Sequence, residues 1–185
     1  MNASKDLKEI IAACQAGSNE AFSRLVDLYA SRCYGYFYRL TGNAAQSNDL
    51  LSMLFLKLVT KIGTFRVATG SFEKWLFTIA SNIFRDHLRR QYRQKKLLEA
   101  KAEELKTAAM TPAKADGEMI DKLQIQMDRL DAETSELLML RFYGGLTFRE
   151  IAEMRSEPIG TVLAKVHRGL KRLRELMGHC NDREQ

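Results

Sequence analysis

The sequence predicts an all-α protein in which two small helical domains are joined by a linker. Three observations favour this fold class. Apolar residues recur at spacings of three and four along most of the 185 residues, as they do in amphipathic helices. Only two prolines occur in the chain, and proline is the residue that most strongly breaks a helix interior. A stretch of different composition separates two blocks of helical pattern, which is typical of two domains on a tether.

The first domain is predicted to span residues 1–96. Near its end, a helix that buries an apolar stripe is expected at Phe72, Trp75, Phe77 and Ile79. Phe65 is expected in a loop, because it lies in a stretch that begins at Gly63 and ends at Gly70.

The same domain ends in a basic segment. From Arg85 to Lys96 the chain has six cations and a single acid, Asp86. Aromatic rings beside a cationic helix can stack unpaired bases, at about 1 to 3 kcal/mol per base, while arginine and lysine hold the phosphate backbone. The alternative is that the rings belong to the core, since burying one completely contributes about 1.5 to 3 kcal/mol. The residues alone leave both interpretations open.

A linker is predicted over residues 97–118, where the composition changes. Charged residues and alanines come first, and Met110-Thr111-Pro112 and Asp116-Gly117 follow. Proline and glycine interrupt helices, so this segment is expected to be helical in part only.

The second domain is predicted to span residues 119–180 and to begin with two helical patterns. The first consists of Met119, Leu123, Met127 and Leu130. The second contains Leu137, Leu138 and Leu140, and the pair Gly144-Gly145 is expected to stop it.

A helix-turn-helix is predicted next. Thr147 and Glu150 form a capping box, in which the hydroxyl accepts from the third amide of the helix and the carboxylate accepts from the Thr147 amide. Proline is tolerated only near the start of a helix, so the second helix is predicted to begin around Pro158 or Ile159 and residues 155–157 to form the turn. The apolar positions of the first helix are Phe148, Ile151, Ala152 and Met154.

The second helix of this unit is predicted to bind duplex DNA. Its expected buried stripe is Val162, Val166, Leu170, Leu173 and Met177, and cations lie mostly on the opposite side. The first turns of such a helix meet base edges in the major groove, and later cations meet phosphates. Base-edge contacts are predicted for Gly160, Thr161, Ala164, Lys165 and Arg168, and phosphate contacts for Lys171 and Arg172. A solvated cationic helix end that meets its own dipole is the alternative.

Composition favours a polyanionic partner and excludes several other classes. The net charge is +6 and the isoelectric point is near 9.3, which suits nucleic acid. No apolar run approaches the roughly 20 residues of a membrane span, and the first residues lack a signal-peptide core. A cytoplasmic protein without membrane insertion is therefore expected.

The cysteines indicate neither a disulfide framework nor a metal site. Cys14, Cys33 and Cys180 are scattered and odd in number, so they are expected to be buried hydrophobes. His179 beside Cys180 is a weak case for a metal. The chain also lacks a glycine-rich phosphate loop and a Ser/His/Asp grouping, so neither a cofactor nor an enzymatic activity is expected.

These motifs together resemble the small sigma factors of the extracytoplasmic-function group, which belong to the sigma-70 family. The first domain carries Ala21-Phe22, Leu25, Tyr29, Asn48-Asp49-Leu50, Phe55-Leu56, the run from Trp75 to Asn82 and the run from Arg85 to Arg90. The second carries the run from Leu146 to Glu153, the run from Pro158 to Val162, and His167-Arg168. The order and joint presence of both blocks are specific to that family.

The resemblance implies a promoter-specificity subunit of bacterial RNA polymerase. The second domain would read the minus-thirty-five element as duplex, and the loop at residues 64–71 would capture a flipped base of the minus-ten element. The expected minus-ten contacts are Phe65, Arg66, Trp75, Asn82, Arg85, Arg89 and Arg90. The expected polymerase contacts are Asp49, Leu50, Ser52, Met53 and Phe55. Their partner would be the clamp helices of the largest subunit, while the flap is a further polymerase contact and an anti-sigma factor is a further partner.

The sequence departs from the family at two places. Ser52 and Met53 stand where the family usually has Gln and an acid, which would weaken a charged contact with polymerase. Leu163 and Ala164 stand where Lys and Ser are common, which removes a DNA contact. Two alternatives therefore stay open. One is a stand-alone helix-turn-helix regulator, and the other is a sigma-like decoy that binds an anti-sigma factor.

Overall fold

The computed structural model describes residues 3–66, 70–104 and 122–181, with side chains described for residues 6–66, 70–99 and 123–177. Within these ranges the chain forms eight α-helices and no strand, so the predicted all-α class is confirmed. The helices are α1 Ala3–Gln15, α2 Asn19–Thr41, α3 Ala44–Lys61, α4 Phe72–Glu104, α5 Lys122–Met127, α6 Ala132–Phe142, α7 Phe148–Arg155 and α8 Ile159–Asn181. A short 3₁₀ turn, Ile62–Thr64, follows α3.

The first domain is the bundle of α1 to α4. Helix α2 packs between α1 and α3, and α3 packs on α4. Its core is aromatic, with Tyr36, Phe37, Phe77 and Phe84 all fully buried. The aromatic residues that sequence could not divide between core and base stacking are therefore core residues at Phe72, Phe77 and Phe84.

Side chains cap the helices of both domains and fix where they begin. Ser18 accepts a hydrogen bond from the Ala21 amide, Asn43 from Gln46 and Asp131 from Thr134. Such caps satisfy amides that have no partner within the helix. Gly42 ends α2 with φ of 61°, a left-handed conformation that favours glycine.

The second domain consists of α5 to α8, with α8 packed on the other three helices. Leu137, Leu138 and Leu140 are buried, and α6 ends before Gly144-Gly145 as predicted. The buried stripe of α8 is shorter than predicted. Val162 and Val166 are buried, but Leu170 and Met177 are 37% and 40% exposed. Helix α8 has 23 residues whereas α6 and α7 have 11 and 8, so its last turns extend past the helices that cover it.

The two domains contact each other through α2 with α6 and through α4 with α7. Helix α4 continues without a break to Glu104, beyond the predicted domain boundary at residue 96. Residues 105–118 of the predicted linker and Met119 lie outside the described residues. The boundaries at residues 96, 118 and 180 stay predictions.

Cys14 and Cys33 are buried free thiols, which confirms their interpretation as small hydrophobes. Burial raises the pKa of the Cys33 thiol to about 12, and the neighbouring Arg32 opposes that shift. The side chains of His179 and Cys180 lie outside the described ones. No helix in the described ranges is both long and apolar enough to cross a membrane.

Candidate nucleic-acid interface

The helix-turn-helix is formed by α7, a three-residue turn and α8. Both halves of the predicted capping box are present: Thr147 Oγ1 accepts from the Glu150 amide at 3.2 Å, and Glu150 Oε2 accepts from the Thr147 amide at 2.9 Å. Ser156 adopts a left-handed conformation with φ of 54° and ends α7. Its amide and that of Glu157 donate back to α7 carbonyls, so the turn is held by backbone bonds and α8 begins at Ile159.

One side of α8 is exposed along the length that was predicted to face DNA. At about 100° per residue, the predicted positions fall within roughly 140° of the helix circumference. Six of them are exposed: Gly160, Thr161, Ala164, Arg168, Lys171 and Arg172. A methyl group added at Gly160 would meet no atom within 4 Å. The first turns of α8 therefore present backbone and small side chains, and the later turns present cations.

Lys165 differs from the other predicted DNA contacts on α8. Its ammonium group donates to Glu133 at 2.7 Å and to Glu157 at 2.8 Å. These hydrogen bonds, first to Glu133 and then to Glu157, raise the pKa of Lys165. Its positive charge is thus matched within the domain, and a phosphate or base would compete with two carboxylates for it.

The cations of α4 fall into two groups. Arg89 and Arg90 are exposed beside Asn82, and Arg89 Nη2 lies 3.3 Å from Asp86 Oδ1. Arg85 is instead turned toward the second domain, where its Nε and Nη2 donate to Glu136 at 3.2 Å. Arg89 and Arg90 are therefore exposed, whereas Arg85 is half-buried and already bonded to a carboxylate of the second domain.

Phe65 lies in a loop as predicted, but its ring is buried rather than open to a base. It is 3% exposed and packs against Phe72 and Trp75 with ring centroids 5.4 and 5.5 Å apart. Gln15 Nε2 donates to the Phe65 carbonyl at 3.0 Å and so holds the loop to α1. The ring is apolar and two aromatic rings pack against it, so it is a packing residue and is not available for base stacking in this conformation. Trp75 is half-buried.

Arg66 is exposed and donates to the Gly63 carbonyl at 2.6 Å. Residues 67–69 of the same loop lie outside the described residues. Within the described part, the loop from Thr64 to Ser71 brings Arg66 close to the aromatic cluster of Phe65, Phe72 and Trp75.

The residues that were predicted to contact polymerase lie on α3, but they do not all reach its surface. Asp49 and Ser52 are exposed, and Met53 and Phe55 are half-buried. Leu50 is 3% exposed and belongs to the core, because its position on the helix faces α2 and α4. The surface of this set therefore consists of two polar and two apolar side chains.

Sequence reasoning missed three polar residues near the start of α4 that face the second domain: Ser71, Lys74 and Ser81. Ser71 donates to Glu150 at 2.5 Å, Lys74 to Glu153 at 2.6 Å, and Ser81 to Glu136. Their helical spacing of three and seven, continued by Arg85, was visible in the sequence. The acids they meet were not, because those acids lie more than 50 residues away.

A capped helix-turn-helix with an exposed cationic second helix, joined to a helical domain with a second cationic helix, defines a two-domain DNA-binding protein. Among the residues that the structure describes, no group of three or more His, Cys, Asp or Glu side chains could hold a metal ion.

Comparison with known proteins defines the family. Residues 25–94 match the family model described as Sigma-70 region 2, and residues 126–175 match Sigma-70 region 4. The chain is 32% identical over 162 residues to the RNA polymerase sigma factor CarQ of Myxococcus xanthus, covering 88% of this chain and 92% of CarQ. It is 29% identical over 177 residues to the ECF RNA polymerase sigma factor BldN of Streptomyces coelicolor, covering 92% of this chain but only 66% of BldN.

A solved structure shares the fold. The sigma factor RpoE from Bartonella quintana, determined in complex with the anti-sigma factor NepR, matches with a TM-score of 0.67 and 22% identity over 85% of this chain and 96% of RpoE. The two family models and the identity to CarQ and BldN show that the chain belongs to the extracytoplasmic-function group of the sigma-70 family. It is a promoter-specific transcription initiation factor that works with RNA polymerase and promoter DNA, and its family is non-catalytic.

Proposed function

We propose that this chain selects promoters by reading the minus-thirty-five duplex with α8 and by holding the melted minus-ten strand along α4. The single observation that carries the proposal is the exposed side of α8, which joins the open backbone at Gly160 to the cations Arg168, Lys171 and Arg172. Backbone and small side chains can approach base edges closely, and the cations Lys171 and Arg172, about three turns after Gly160, can bind phosphates.

The contacts we propose for the minus-thirty-five element are Gly160, Thr161, Ala164, Lys165 and Arg168 on base edges, and Lys171 and Arg172 on phosphates. Lys165 would have to leave Glu133 and Glu157 to make its contact. Arg168 is not held by a carboxylate in the described structure, and its Nε donates to the Ala164 carbonyl at 3.3 Å. We therefore assign the larger share of base discrimination to Arg168.

For the minus-ten element we propose that Arg66, Asn82, Arg89 and Arg90 bind the strand directly. Phe65 and Trp75 support the loop that captures a base, since both rings pack in one cluster with Phe72. Arg85 would join the strand contacts once it leaves Glu136.

We propose that polymerase docks on α3 through Asp49, Ser52, Met53 and Phe55, with the clamp helices of the largest subunit as the partner, and that the flap receives the second domain. Ser52 Oγ donates to the Asn48 carbonyl of the same helix at 2.9 Å, so its hydroxyl proton is already hydrogen-bonded and the residue brings no charge to the interface. Apolar contacts would then dominate this interface.

We also infer that an anti-sigma factor restrains the chain in a cytoplasmic setting. The supporting feature is a set of exposed apolar residues on α2 and α3, namely Leu28, Leu56 and Val59, which are 54%, 67% and 54% exposed. Contiguous exposed apolar surface marks a protein contact, and Leu56 and Val59 lie one turn apart on α3. Affinity purification from native cells that returned polymerase but no small partner would contradict this inference.

The decisive experiment mixes the purified chain with bacterial core polymerase and selects transcribed templates from a random promoter library. We expect a stable complex and a two-part motif. The Arg168→Ala variant should lose or relax the upstream part of the motif. Arg174→Ala removes the same charge from another side of α8 and is the matched control, which should retain the motif.

Failure to form a complex with folded chain would favour the sigma-like decoy. Binding of a palindromic duplex without polymerase would favour the stand-alone regulator. Either result would overturn the proposal.

A further inference from the structure

An acidic surface of the second domain lies against the side of α4 for which we propose binding of the melted DNA strand. We define the acidic face as Glu136 on α6 with Glu150 and Glu153 on α7. It meets a line of donors that we call the α4 row, consisting of Ser71, Lys74, Ser81 and Arg85. Every member of the row donates to a carboxylate of the acidic face: Ser71 to Glu150, Lys74 to Glu153, and Ser81 and Arg85 to Glu136.

The row follows one side of the helix. Its members are separated by three, seven and four residues, which keeps them on one stripe. At 1.5 Å per residue, Ser71 and Arg85 lie roughly 21 Å apart along the axis. At 3.4 Å per nucleotide of a stacked strand, this length corresponds to roughly six nucleotides.

Hydroxyls, an ammonium group and a guanidinium group are the donors with which proteins bind phosphates as well as carboxylates. The α4 row is therefore suited to a strand backbone, and the three carboxylates stand in the places of phosphate groups. The row also adjoins Asn82, Arg89 and Arg90, which remain exposed on the same helix.

Glu136 is the central contact between the domains. It is 3% exposed and accepts from Ser81 and Arg85 of the first domain and from Arg155 Nη1 of its own domain, the last at 2.7 Å. A buried carboxylate that is hydrogen-bonded to three donors is a specific arrangement, and a nonspecific contact between two charged surfaces would not produce it.

A second contact, independent of the acids, holds the domains in the same arrangement. Tyr143 from the end of α6 lies against Gly35 of α2, and a Cβ added at Gly35 would be 2.8 Å from Tyr143 Cδ1. Arg32 of α2 donates to the carbonyls of Tyr143 at 3.0 Å and Gly144 at 2.9 Å. Any side chain larger than hydrogen at position 35 must displace the Tyr143 ring.

We propose that the acidic face mimics the phosphates of the melted strand and covers the α4 row in the free chain, so that the two domains must separate before the row can bind DNA. This inference rests on the proposed function for the identity of the competing ligand. It adds Ser71, Lys74 and Ser81 to the strand-binding residues and makes the acidic face an intramolecular competitor.

The test needs an interdomain distance and a DNA affinity from the same full-length chain. Fluorophores on Thr60→Cys and Glu175→Cys, in a Cys180→Ser background, report the distance between α3 and α8 by energy transfer. Cys14 and Cys33 are buried and should not react. A fluorescein-labelled single-stranded DNA pool of random sequence reports the affinity.

Two variants should open the chain by different means. Glu136→Gln removes the central charge, and Gly35→Leu makes the α2 side of the contact collide with Tyr143. Both should lower energy transfer and tighten single-strand binding about tenfold or more. Minor conformations are commonly 0.1–10% populated, and apparent affinity falls in proportion to the competent fraction. Circular dichroism should show that helicity is retained.

Glu133→Gln is the matched control. Glu133 lies one turn before Glu136 on α6, and it bonds to Arg155 and Lys165 within its own domain. Both of these partners belong to the second domain, so this variant should leave the energy transfer at the wild-type value.

Low energy transfer already in the wild-type chain would overturn the proposal, as would opening by both variants without a gain in single-strand affinity. The proposed function is tested separately by transcription with core polymerase. A chain that opens and gains single-strand affinity yet supports no transcription would contradict that function and leave the intramolecular competition in place.

Discussion

Helix α8 presents Arg168, Lys171 and Arg172 to solvent, whereas the first half of α4 has Lys74 and Arg85 bound to carboxylates of the other domain. Both helices are cationic, and both contribute to the basic character of the chain. Their charges nevertheless differ in how freely they can bind phosphate. The α8 charges can meet phosphate without rearrangement, while those at the start of α4 require the domains to separate.

A cationic helix is therefore not by itself a phosphate-binding surface. A charge in water contributes little when it pairs with another exposed charge. A charge that pairs with a buried partner is expensive to remove, because the partner stays behind without compensation. Substitutions on the two helices should therefore separate stability from DNA binding.

The largest effect is expected at the contact between the domains. Glu136→Ala should lower the free energy of unfolding by about 3–5 kcal/mol, because Arg85 and the mostly buried Arg155 lose their shared carboxylate. Glu133→Ala on the same helix should cost at most about 1 kcal/mol, since Glu133 is 45% exposed. Urea denaturation followed by circular dichroism measures both. Equal losses would mean that the buried position of Glu136 has no energetic consequence.

Arginine substitutions on the two helices should give opposite patterns. Arg85→Ala should lower the free energy of unfolding by about 2 kcal/mol, as expected for hydrogen bonds to a charged group. Arg168→Ala should change it by less than about 0.5 kcal/mol but weaken binding of a selected minus-thirty-five duplex by about 1–3 kcal/mol. Denaturation and fluorescence anisotropy measure the pair. If Arg168→Ala lowered the free energy of unfolding but left duplex affinity unchanged, α8 would not be the helix that contacts the minus-thirty-five element.

Salt dependence should distinguish the helices further. If about five phosphates are neutralised by the second domain, the logarithm of duplex affinity should fall with the logarithm of salt concentration at a slope of roughly −4.5. Lys171→Ala or Arg172→Ala should each reduce that slope by about 1. Lys61→Ala in the last turn of α3 removes an exposed cation outside both proposed DNA-binding surfaces and is the control, which should leave the slope unchanged. A flat salt response of the wild-type chain would contradict phosphate binding by α8.

The smallest effect is expected from acid. Lys74, first by its hydrogen bond and then by its charge, lowers the pKa of Glu153 from the ordinary value of 4.5, and Arg149 adds to that shift. A carboxyl with a lowered pKa contributes its contact fully above the ordinary pKa and loses it as the pH falls through the lowered value. Energy transfer between the domains should therefore stay constant down to about pH 4.5 and decrease below it.

Glu153→Gln should shrink the part of this acid response that Glu153 contributes. An identical titration in the variant would show that other carboxylates control the opening.

Several features could be predicted from sequence because they depend on residues that are close along the chain. The capping box of Thr147 and Glu150, the turn at Pro158 and the stop at Gly144-Gly145 are local, and all three are present. The turn lies one residue later than predicted, because Arg155 is still part of α7. The exposed side of α8 follows from helical periodicity in the same way. The family followed from the order of two motif blocks, which a sequence records directly.

Other features required the tertiary structure, because they join residues that are distant in sequence. The family resemblance placed Leu50 among the polymerase contacts, but Leu50 is buried in the first domain, where α3 packs on α2 and α4. Phe65 was correctly predicted in a loop, yet only its contacts with Phe72 and Trp75 reveal that the ring is buried.

The helical class, the helix-turn-helix and the basic charge could all be predicted from sequence, since each depends only on residue spacing or composition. Which cations are available to bind phosphate depends on the tertiary fold. Lys165 and Arg85 carry the same charge as Arg168, but Glu133, Glu157 and Glu136 lie beside them after folding. Coulomb energy depends on distance in space and on burial, and neither quantity can be read from separation along the chain.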